Sequence, residues 1–252
     1  MQFSDYRDKY HTIRLTRSDE GVLELAMHTR GGEAKWGTST RSLHAELGAC
    51  FADLARDREN KVVIITGTGS AFCAERDDTE RPHETTMGAM WERIYEEGLA
   101  LLENLLAIPV PVIGAVNGPA LIHAELAVLS DIVLAADHAE FADAAHVPNS
   151  VVPGDGVHTV WPMLLGPNRG RYFLLTGERL SAAEAHRLGV VAEVMPLADL
   201  MPRARELASR LAQNPLRMLR HTRAVLVRDL RRRMADELAF GLGSEALATL
   251  TV

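Results

Sequence analysis

Three short apolar runs place the tightest constraint on how this chain can fold. They lie at residues 62–66, 112–116 and 132–136, and almost no polar residue interrupts them. A strand that is apolar on both faces is typical of a parallel sheet covered by helices. Between these runs, residues 39–56 and 90–106 carry apolar side chains at steps of three and four. We therefore predict an α/β fold in which helices connect parallel strands.

The segments outside this unit predict simpler structures. Residues 13–15 and 22–27 flank a polar turn and predict a hairpin. The charged, Pro-containing residues 75–87 predict a mobile loop. Residues 214–247 predict one long final helix, with Pro215 at its first helical position.

Composition excludes several classes of protein. The 252 residues include 27 Lys and Arg against 34 Asp and Glu, and the formal charge of −7 argues against a nucleic-acid partner. No apolar stretch approaches the roughly 18 residues of a membrane span, and the first residues lack the pattern of a signal peptide. Cys50 and Cys73 are too few for a disulfide framework. We expect a cytoplasmic protein with no membrane partner.

The common nucleotide and metal motifs are absent or incomplete. Residues 66–69 contain a GxG after an apolar run, but Phe72 replaces the third glycine of a dinucleotide fingerprint. His123-Ala-Glu125 resembles half of the zinc deaminase motif, without its downstream PCxxC. We therefore expect no metal and no cofactor.

Three segments, taken together, are more informative. They are Val63-Ile-Ile-Thr-Gly-Thr-Gly-Ser-Ala-Phe-Cys-Ala-Glu-Arg-Asp77, Pro111-Val-Ile-Gly-Ala-Val-Asn-Gly-Pro-Ala120, and Val152-Pro-Gly-Asp-Gly156 followed by Leu175-Thr-Gly-Glu-Arg-Leu-Ser-Ala-Ala-Glu184. In this order they resemble the crotonase (enoyl-CoA hydratase/isomerase) superfamily.

This resemblance implies a crotonase-type spiral of ββα repeats, with a helical C-terminal trimerisation region. The expected division is a spiral core at residues 1–197 and the helical region at residues 198–252. Members of the superfamily commonly form homotrimers or dimers of trimers. Their shared chemistry stabilises an enolate, usually of a coenzyme A thioester, with two backbone N–H groups.

The chain departs from the superfamily pattern where that chemistry is performed. Glu75 replaces a glycine, Ile122 and His123 stand where consecutive glycines are usual, and no Glu follows Phe141 as in hydratases. A bulky side chain cannot copy the close backbone approach that glycine permits. The sequence therefore argues against a standard hydratase.

One branch of the superfamily, the β-diketone hydrolases of the 6-oxocamphor hydrolase type, has these substitutions. Residues 146–156, 165–177 and 241–247 look very like that branch. The resemblance implies hydrolysis of a carbon–carbon bond between the two carbonyls of a cyclic diketone, without coenzyme A or metal.

The resemblance also implies a role for five residues. His146, paired with Asp155, would be the base that activates water, because histidine titrates near working pH. His123 would bind a substrate carbonyl, and the indole N–H of Trp36 would bind the second. Glu245 would orient substrate or a proton.

Each assignment has a structural alternative. The histidines could be core residues, Asp155 a turn residue, Trp36 a core or interface aromatic and Glu245 a solvated helix residue. Two other functions also remain open: a coenzyme A-dependent crotonase with altered donors, and an inert or RNA-binding scaffold. We expect the histidines without motif context to be structural or on the surface, namely His11, His28, His44, His83, His138, His158, His186 and His221.

Overall fold

One six-stranded sheet forms the centre of the structure, a computed structural model that describes residues 1–79 and 84–250. Within it the strands pair in the order β1-β2-β4-β6-β7-β10, antiparallel between β1 and β2 and parallel elsewhere. The predicted parallel sheet is therefore confirmed. The strands are β1 (Ile13–Arg17), β2 (Val22–Met27), β3 (Lys35–Trp36), β4 (Val62–Gly67), β5 (Glu75–Arg76), β6 (Val112–Val116), β7 (Ile132–Ala136), β8 (Glu140–Phe141), β9 (Leu180–Ser181) and β10 (Glu193–Met195).

Helices cover both faces of this sheet, which explains the doubly apolar strands. One core cluster lies between the sheet and α7, and a larger cluster fills the other side with α1, α2 and the remaining helices. The helices are α1 (Leu43–Arg56), α2 (Met87–Ala107), α3 (Glu125–Val128), α4 (Val157–Leu165), α5 (Pro167–Thr176), α6 (Ala182–Arg187), α7 (Leu197–Ala212), α8 (Leu216–Leu226) and α9 (Arg228–Leu250).

A second layer of very short strands lies beyond the ends of the main strands. In it β3 pairs with β5 and β8 pairs with β9, and single bridges join Cys73 to Ala120 and Ala120 to Phe141. The chain runs from β2 to β3, from β4 to β5, from β6 to Ala120 and from β7 to β8. This repeated step, with a helix after each short segment, is the ββα spiral that the resemblance predicts.

The predicted mobile loop at residues 75–87 is wrong at both ends. Glu75 and Arg76 form β5, and α2 begins at Met87 rather than at residue 90. The Thr86 side chain caps this helix by accepting a hydrogen bond from the N–H of Ala89. Residues 80–83, and with them the assignment of His83, lie outside the described residues.

The predicted single final helix is also wrong, because the structure has two helices there. Helix α8 ends at Leu226, and α9 begins at Arg228. Between them Val227 is buried with φ −90° and ψ 2°, outside helical geometry. Burial of Val227 and of Arg223 in α8 therefore outweighs the local preference for a continuous helix.

Helix α9 crosses α2 and α4, and so brings the end of the chain back to the spiral. The side chain of Leu242 on α9 fits against Gly98 of α2, where an added Cβ would lie 3.1 Å from it. Among the described residues, no helix combines the length and apolar character needed to cross a bilayer.

Candidate active site

A cavity of about 320 Å³ lies between α2, α9 and the ends of the second-layer strands. Its volume falls at the lower end of the range for small-molecule sites, which is about 300–1,000 Å³. One side, the α2 wall, consists of Met87, Met90, Trp91 and Ile94. A second group of lining residues, the polar floor, consists of the five residues selected from the sequence: Trp36, His123, His146, Asp155 and Glu245.

The fold explains why residues so distant in sequence meet here. Trp36 lies in β3, His123 follows the bridge residue Ala120, and His146 follows β8. Because neighbouring second-layer segments run parallel, the residues after them emerge at one edge. Asp155 comes from the turn before α4, and Glu245 comes from α9.

His146 is buried between carboxylates. Its Nδ1 lies 2.6 Å from Oδ1 of Asp143, and its Nε2 lies 3.3 Å from Oδ2 of Asp155 and 4.0 Å from Oε2 of Glu245. A neutral imidazole has only one N–H, so it would turn a lone pair towards one of the two nearer carboxylates. Burial disfavours the charged ring, but the Asp155 charge and the Asp143 hydrogen bond outweigh it and raise the pKa of His146 to about 12. These neighbours favour the imidazolium form of His146 at neutral pH.

Asp155 contacts both histidines through one oxygen atom. Its Oδ2 lies 3.2 Å from Nδ1 of His123 as well as 3.3 Å from Nε2 of His146. Burial opposes the charge of Asp155, but the two positive rings outweigh it and hold the pKa of the carboxyl well below its usual value. The flanking glycines are needed for this turn, because Gly156 has φ 98° and a Cβ on Gly154 would lie 2.2 Å from the carbonyl oxygen of Gly241.

His123 has a left-handed backbone, with φ 53°, just before α3. Its Nδ1 lies 2.5 Å from Oε1 of Glu125, and its ring stacks on Trp36 with centroids 3.7 Å apart. Burial lowers the pKa of His123, but the charges of Glu125 and Asp155 outweigh burial and raise it. Its Nε2 has no hydrogen-bond partner among the described residues, so the ring can donate a proton into the cavity.

The two glutamates of the site, Glu125 and Glu245, are buried with few hydrogen bonds to stabilise a charged carboxylate. Each has a buried side-chain oxygen, Oε2, that makes no hydrogen bond within the described part of the chain. Burial raises the pKa of Glu125, although the His123 charge opposes it. Burial and the Asp155 charge raise the pKa of Glu245 to about 8. Glu245 is therefore mostly protonated at neutral pH and can gain or lose a proton near it.

Three further residues of the site are not predicted from the sequence. Asp143 and Glu125 bind the ring nitrogens of His146 and His123, and each lies within three positions of its histidine. That proximity is a signal in the sequence. His44 also lines the cavity, where it packs edge-on against Trp36. The sequence predicts only a structural or surface residue at this position and gives no sign that it borders the cavity. Burial lowers its pKa, although its Nδ1 lies 2.7 Å from Glu97.

The donor atoms of His123, Glu125 and Asp155 lie within 4.8 Å of one another, as in some metal sites. Two ligands at about 2.1 Å from one tetrahedral ion lie about 3.4 Å apart. The 2.5 Å between Nδ1 of His123 and Oε1 of Glu125 is much shorter and is a hydrogen-bond distance. The residues as arranged fit a shared proton better than a metal ion.

Two backbone amides near the site are occupied within the chain. The N–H groups of Leu121 and Ile122 both donate to the carbonyl oxygen of Cys73, at 2.9 and 3.1 Å. These two N–H groups are therefore not available to a thioester oxygen. Polar side chains supply further donors in the cavity.

Comparisons with known proteins agree with this architecture. The sequence matches the enoyl-CoA hydratase/isomerase family over residues 19–244. A 1,2-epoxyphenylacetyl-CoA isomerase from Escherichia coli strain K12 is 32% identical over 207 residues, 80% of this chain and 76% of that protein. A carnitinyl-CoA dehydratase from Shigella flexneri is 35% identical over 204 residues, 81% of this chain and 75% of that protein.

Solved structures give the same family and a more specific likeness. A β-diketone hydrolase from the cyanobacterium Anabaena sp. PCC 7120, bound to (S)-3-oxocyclohexyl acetic acid, is 43% identical with a TM-score of 0.92. That match covers 97% of this chain and 96% of the other. An enoyl-CoA hydratase/isomerase from Mycobacterium paratuberculosis is 26% identical with a TM-score of 0.82, covering 96% and 94% of the two chains. The chain therefore belongs to the enoyl-CoA hydratase/isomerase family, the crotonase superfamily that its motifs resemble.

Proposed function

We propose that this protein hydrolyses a carbon–carbon bond of a cyclic β-diketone, in a retro-Claisen reaction that gives a keto acid. The observation that carries the proposal is the pair of histidines, His123 and His146, that share one oxygen of Asp155 at the polar floor of an apolar cavity. The similar β-diketone hydrolase from Anabaena supports it, since the ligand in that structure is a keto acid.

The cavity suits such a substrate in shape and polarity. The apolar side chains of the α2 wall can bury the hydrocarbon rings of a diketone. The imidazolium of His146, the ring of His123 and the indole N–H of Trp36 can donate to carbonyl oxygens, where negative charge develops. Because Trp36, His123 and His146 are buried, water screens these interactions only weakly.

The contacts of His146 favour a different proton acceptor from the one that the sequence predicts. A ring with carboxylates at both nitrogens has no free lone pair to act as a base. Glu245, whose pKa is raised to about 8 by burial and by Asp155, matches working pH and has a free buried oxygen. We therefore assign the base to Glu245 and carbonyl polarisation to His146.

The reaction then proceeds in balanced steps. Water attacks one carbonyl carbon and gives a proton to Glu245, while the carbonyl oxygen becomes an oxyanion that accepts a hydrogen bond from Nε2–H of His146, since Nδ1–H is bound to Asp143. The oxyanion re-forms a carbonyl as the bond to the central carbon breaks, and that electron pair becomes an enolate held by His123 and Trp36. Glu245 returns the proton to the enolate carbon. The product is a keto acid heavier than the diketone by one water.

The direct test is turnover of bornane-2,6-dione by the purified protein, with chelator present and no cofactor added. We expect a product heavier by one water and enriched in one enantiomer, as measured by chiral gas chromatography with mass spectrometry. His146→Ala should lower kcat by about 10² to 10⁴, a typical effect of removing a residue that stabilises charge or transfers a proton in the transition state. His138→Ala, an exposed histidine, serves as the control. A near-normal rate for His146→Ala would refute the assignment.

A second candidate is a coenzyme A thioester hydratase or isomerase, since the names of the sequence relatives specify coenzyme A substrates. The occupied amides of Leu121 and Ile122 argue against it. Calorimetric titration with coenzyme A distinguishes the two functions. Saturable binding, with turnover of an enoyl-CoA and none of any cyclic diketone, would favour the thioester function.

A further inference from the structure

We propose that Asp143 is the positioning residue of His146: it anchors Nδ1 and thereby directs Nε2 into the cavity. The inference deepens the proposed function and rests on it for its catalytic consequence. Asp143 is not among the residues that line the cavity. It therefore acts on a substrate only through His146.

The contact with Asp143 is the shortest that His146 makes to a carboxylate. It spans 2.6 Å, against 3.3 Å to Asp155 and 4.0 Å to Glu245. Asp143 is 3% exposed, so water does not screen the interaction. A charge-assisted hydrogen bond of this length is among the stronger interactions available to a histidine ring.

The backbone around Asp143 is fixed by the second layer. The N–H of Ala142 donates to the carbonyl oxygen of Ala120 at 3.1 Å, and the N–H of Ala144 donates to that of Leu121 at 2.8 Å. These two bonds, one on each side, hold Asp143 against the segment that leads to His123. The carboxylate is therefore placed by the same strands that place the histidines.

Asp143 and Asp155 consequently have different tasks. Asp155 lines the cavity and divides one oxygen between two rings, so it cannot set the orientation of either ring alone. Among the described residues, the Asp143 side chain hydrogen-bonds to His146 alone, and Asp143 does not line the cavity. Without Asp143, the ring could turn about its Cβ–Cγ bond and bring Nδ1 rather than Nε2 towards Asp155.

The test uses nuclear magnetic resonance of the ¹⁵N-labelled full-length protein without substrate, with the His146 ring assigned by its loss in His146→Gln. In the wild type we expect both ring nitrogens protonated at pH 7 and a strongly downfield Nδ1 proton. Asp143→Asn keeps an oxygen acceptor but removes the charge, so the Nδ1 proton should move upfield. Asp143→Ala should abolish that signal. In both variants His146 should titrate at lower pH, with Asp155, Glu245 and His123 the remaining groups that face the ring.

Kinetics supply the second readout. Asp143→Ala should lower kcat on a diketone by about 10²-fold, and Asp143→Asn by less, because the isosteric amide can still orient the ring. Asp137→Asn is the matched control: Asp137 contacts Nδ1 of the exposed His138 at 3.4 Å. This control should leave kcat and the His146 signals unchanged.

The outcomes separate the inference from the proposed function. An unchanged His146 titration in both folded Asp143 variants would refute the positioning role, whatever the activity. Failure of the wild type to hydrolyse any diketone would refute the proposed function but leave the spectroscopic test intact. If neither variant folds, the wild type still decides, since a His146 ring without a downfield Nδ1 proton would overturn the inference.

Discussion

Glu245 is a residue of the site whose charge should change within the ordinary pH range. Burial and the neighbouring Asp155 raise its pKa to about 8, so it is protonated below that pH and ionised above it. As the proposed proton acceptor, it would be active only when ionised. The rate should therefore rise with pH near pH 8, where most surface carboxylates are already ionised.

This gives a pH prediction. We expect kcat/KM of the wild type to rise through a midpoint near pH 8. Glu245→Gln should lower kcat by about 10² or more and remove this rise. Glu237→Gln, an exposed residue on the same helix, should keep the wild-type profile. A profile in Glu245→Gln with the same midpoint would assign the titration to another group.

Trp36 offers a second prediction at this scale. Its indole ring stacks on His123, and its N–H is expected to bind a substrate carbonyl. Trp36→Phe keeps an aromatic ring there but removes the donor, so KM should rise about tenfold, equivalent to one lost hydrogen bond. The control is Trp161→Phe, a core tryptophan that packs on Phe173. A lower melting temperature without a change in KM is expected for that control.

Some residues of the site can be predicted from the sequence and others cannot, for physical reasons. His123 is found because it stands where the crotonase pattern has glycines, and His146 and Asp155 are found because residues 146–156 resemble the β-diketone hydrolase branch. His44 is not found, because α1 is already explained by its apolar face and nothing distinguishes a buried histidine from a core one. The carboxylate partner of His146 is harder still to predict from the sequence, since only the structure shows that Asp143 lies nearer to the ring than Asp155 does.

At the scale of elements, a partly buried ion pair ties helix α8 to the sheet. Nε of Arg223 on α8 lies 2.7 Å from Oδ2 of Asp131, directly before β7. Its Nη1 donates to two carbonyl oxygens, that of Leu106 in the last turn of α2 and that of Ile108 directly after this helix. A single side chain therefore ties α8 to both the sheet and α2. The turn at Val227 lies four residues further along the chain.

Removing this side chain should be costly. Arg223→Ala leaves the carboxylate of Asp131 and two carbonyl groups without their partner, so the free energy of unfolding should fall by about 3–5 kcal/mol. Urea denaturation measures it. Arg233→Ala removes the exposed partner of Asp229 and should change stability by less than about 1 kcal/mol. Equal effects of the two variants would show that Arg223 contributes no more than a surface residue.

The main sheet and the second layer differ in how far the sequence predicts them. Strands β4 and β6 are five or six residues long and almost entirely apolar, so their composition alone predicts a covered strand. Strands β3, β5 and β8 have two residues each, too few for any periodicity. The final helix is overpredicted because the burial of Arg223 and Val227 is a tertiary effect.

At the scale of the whole molecule, helices α5, α8 and α9 expose large apolar side chains. Tyr172, Leu175, Val225, Leu226 and Phe240 are between 55% and 75% exposed. Such exposure suits a surface that is covered by other copies of the chain. We propose that residues 198–252 serve the trimerisation predicted for them, with residues 1–197 as the spiral core.

The expected assembly is a homotrimer or a dimer of trimers. Light scattering during gel filtration should give three or six times the chain mass of 27.6 kDa. Replacing Leu226 and Phe240 together with Glu should lower that mass, while Arg232→Glu on the exposed face of α9 should not. A monomer at micromolar concentration in the wild type would refute the assembly.

The α2 wall and the polar floor come from different parts of the chain. The wall consists of four side chains on one helix, whereas the floor is assembled from β3, two segments after short strands, a turn and α9. The two histidine rings make their hydrogen bonds and ion pairs with carboxylates of other segments, and not with Met87, Met90, Trp91 or Ile94. Under the proposed function, substrate range can therefore drift or be engineered by randomising these four neighbouring codons, without disturbing the groups proposed to move protons.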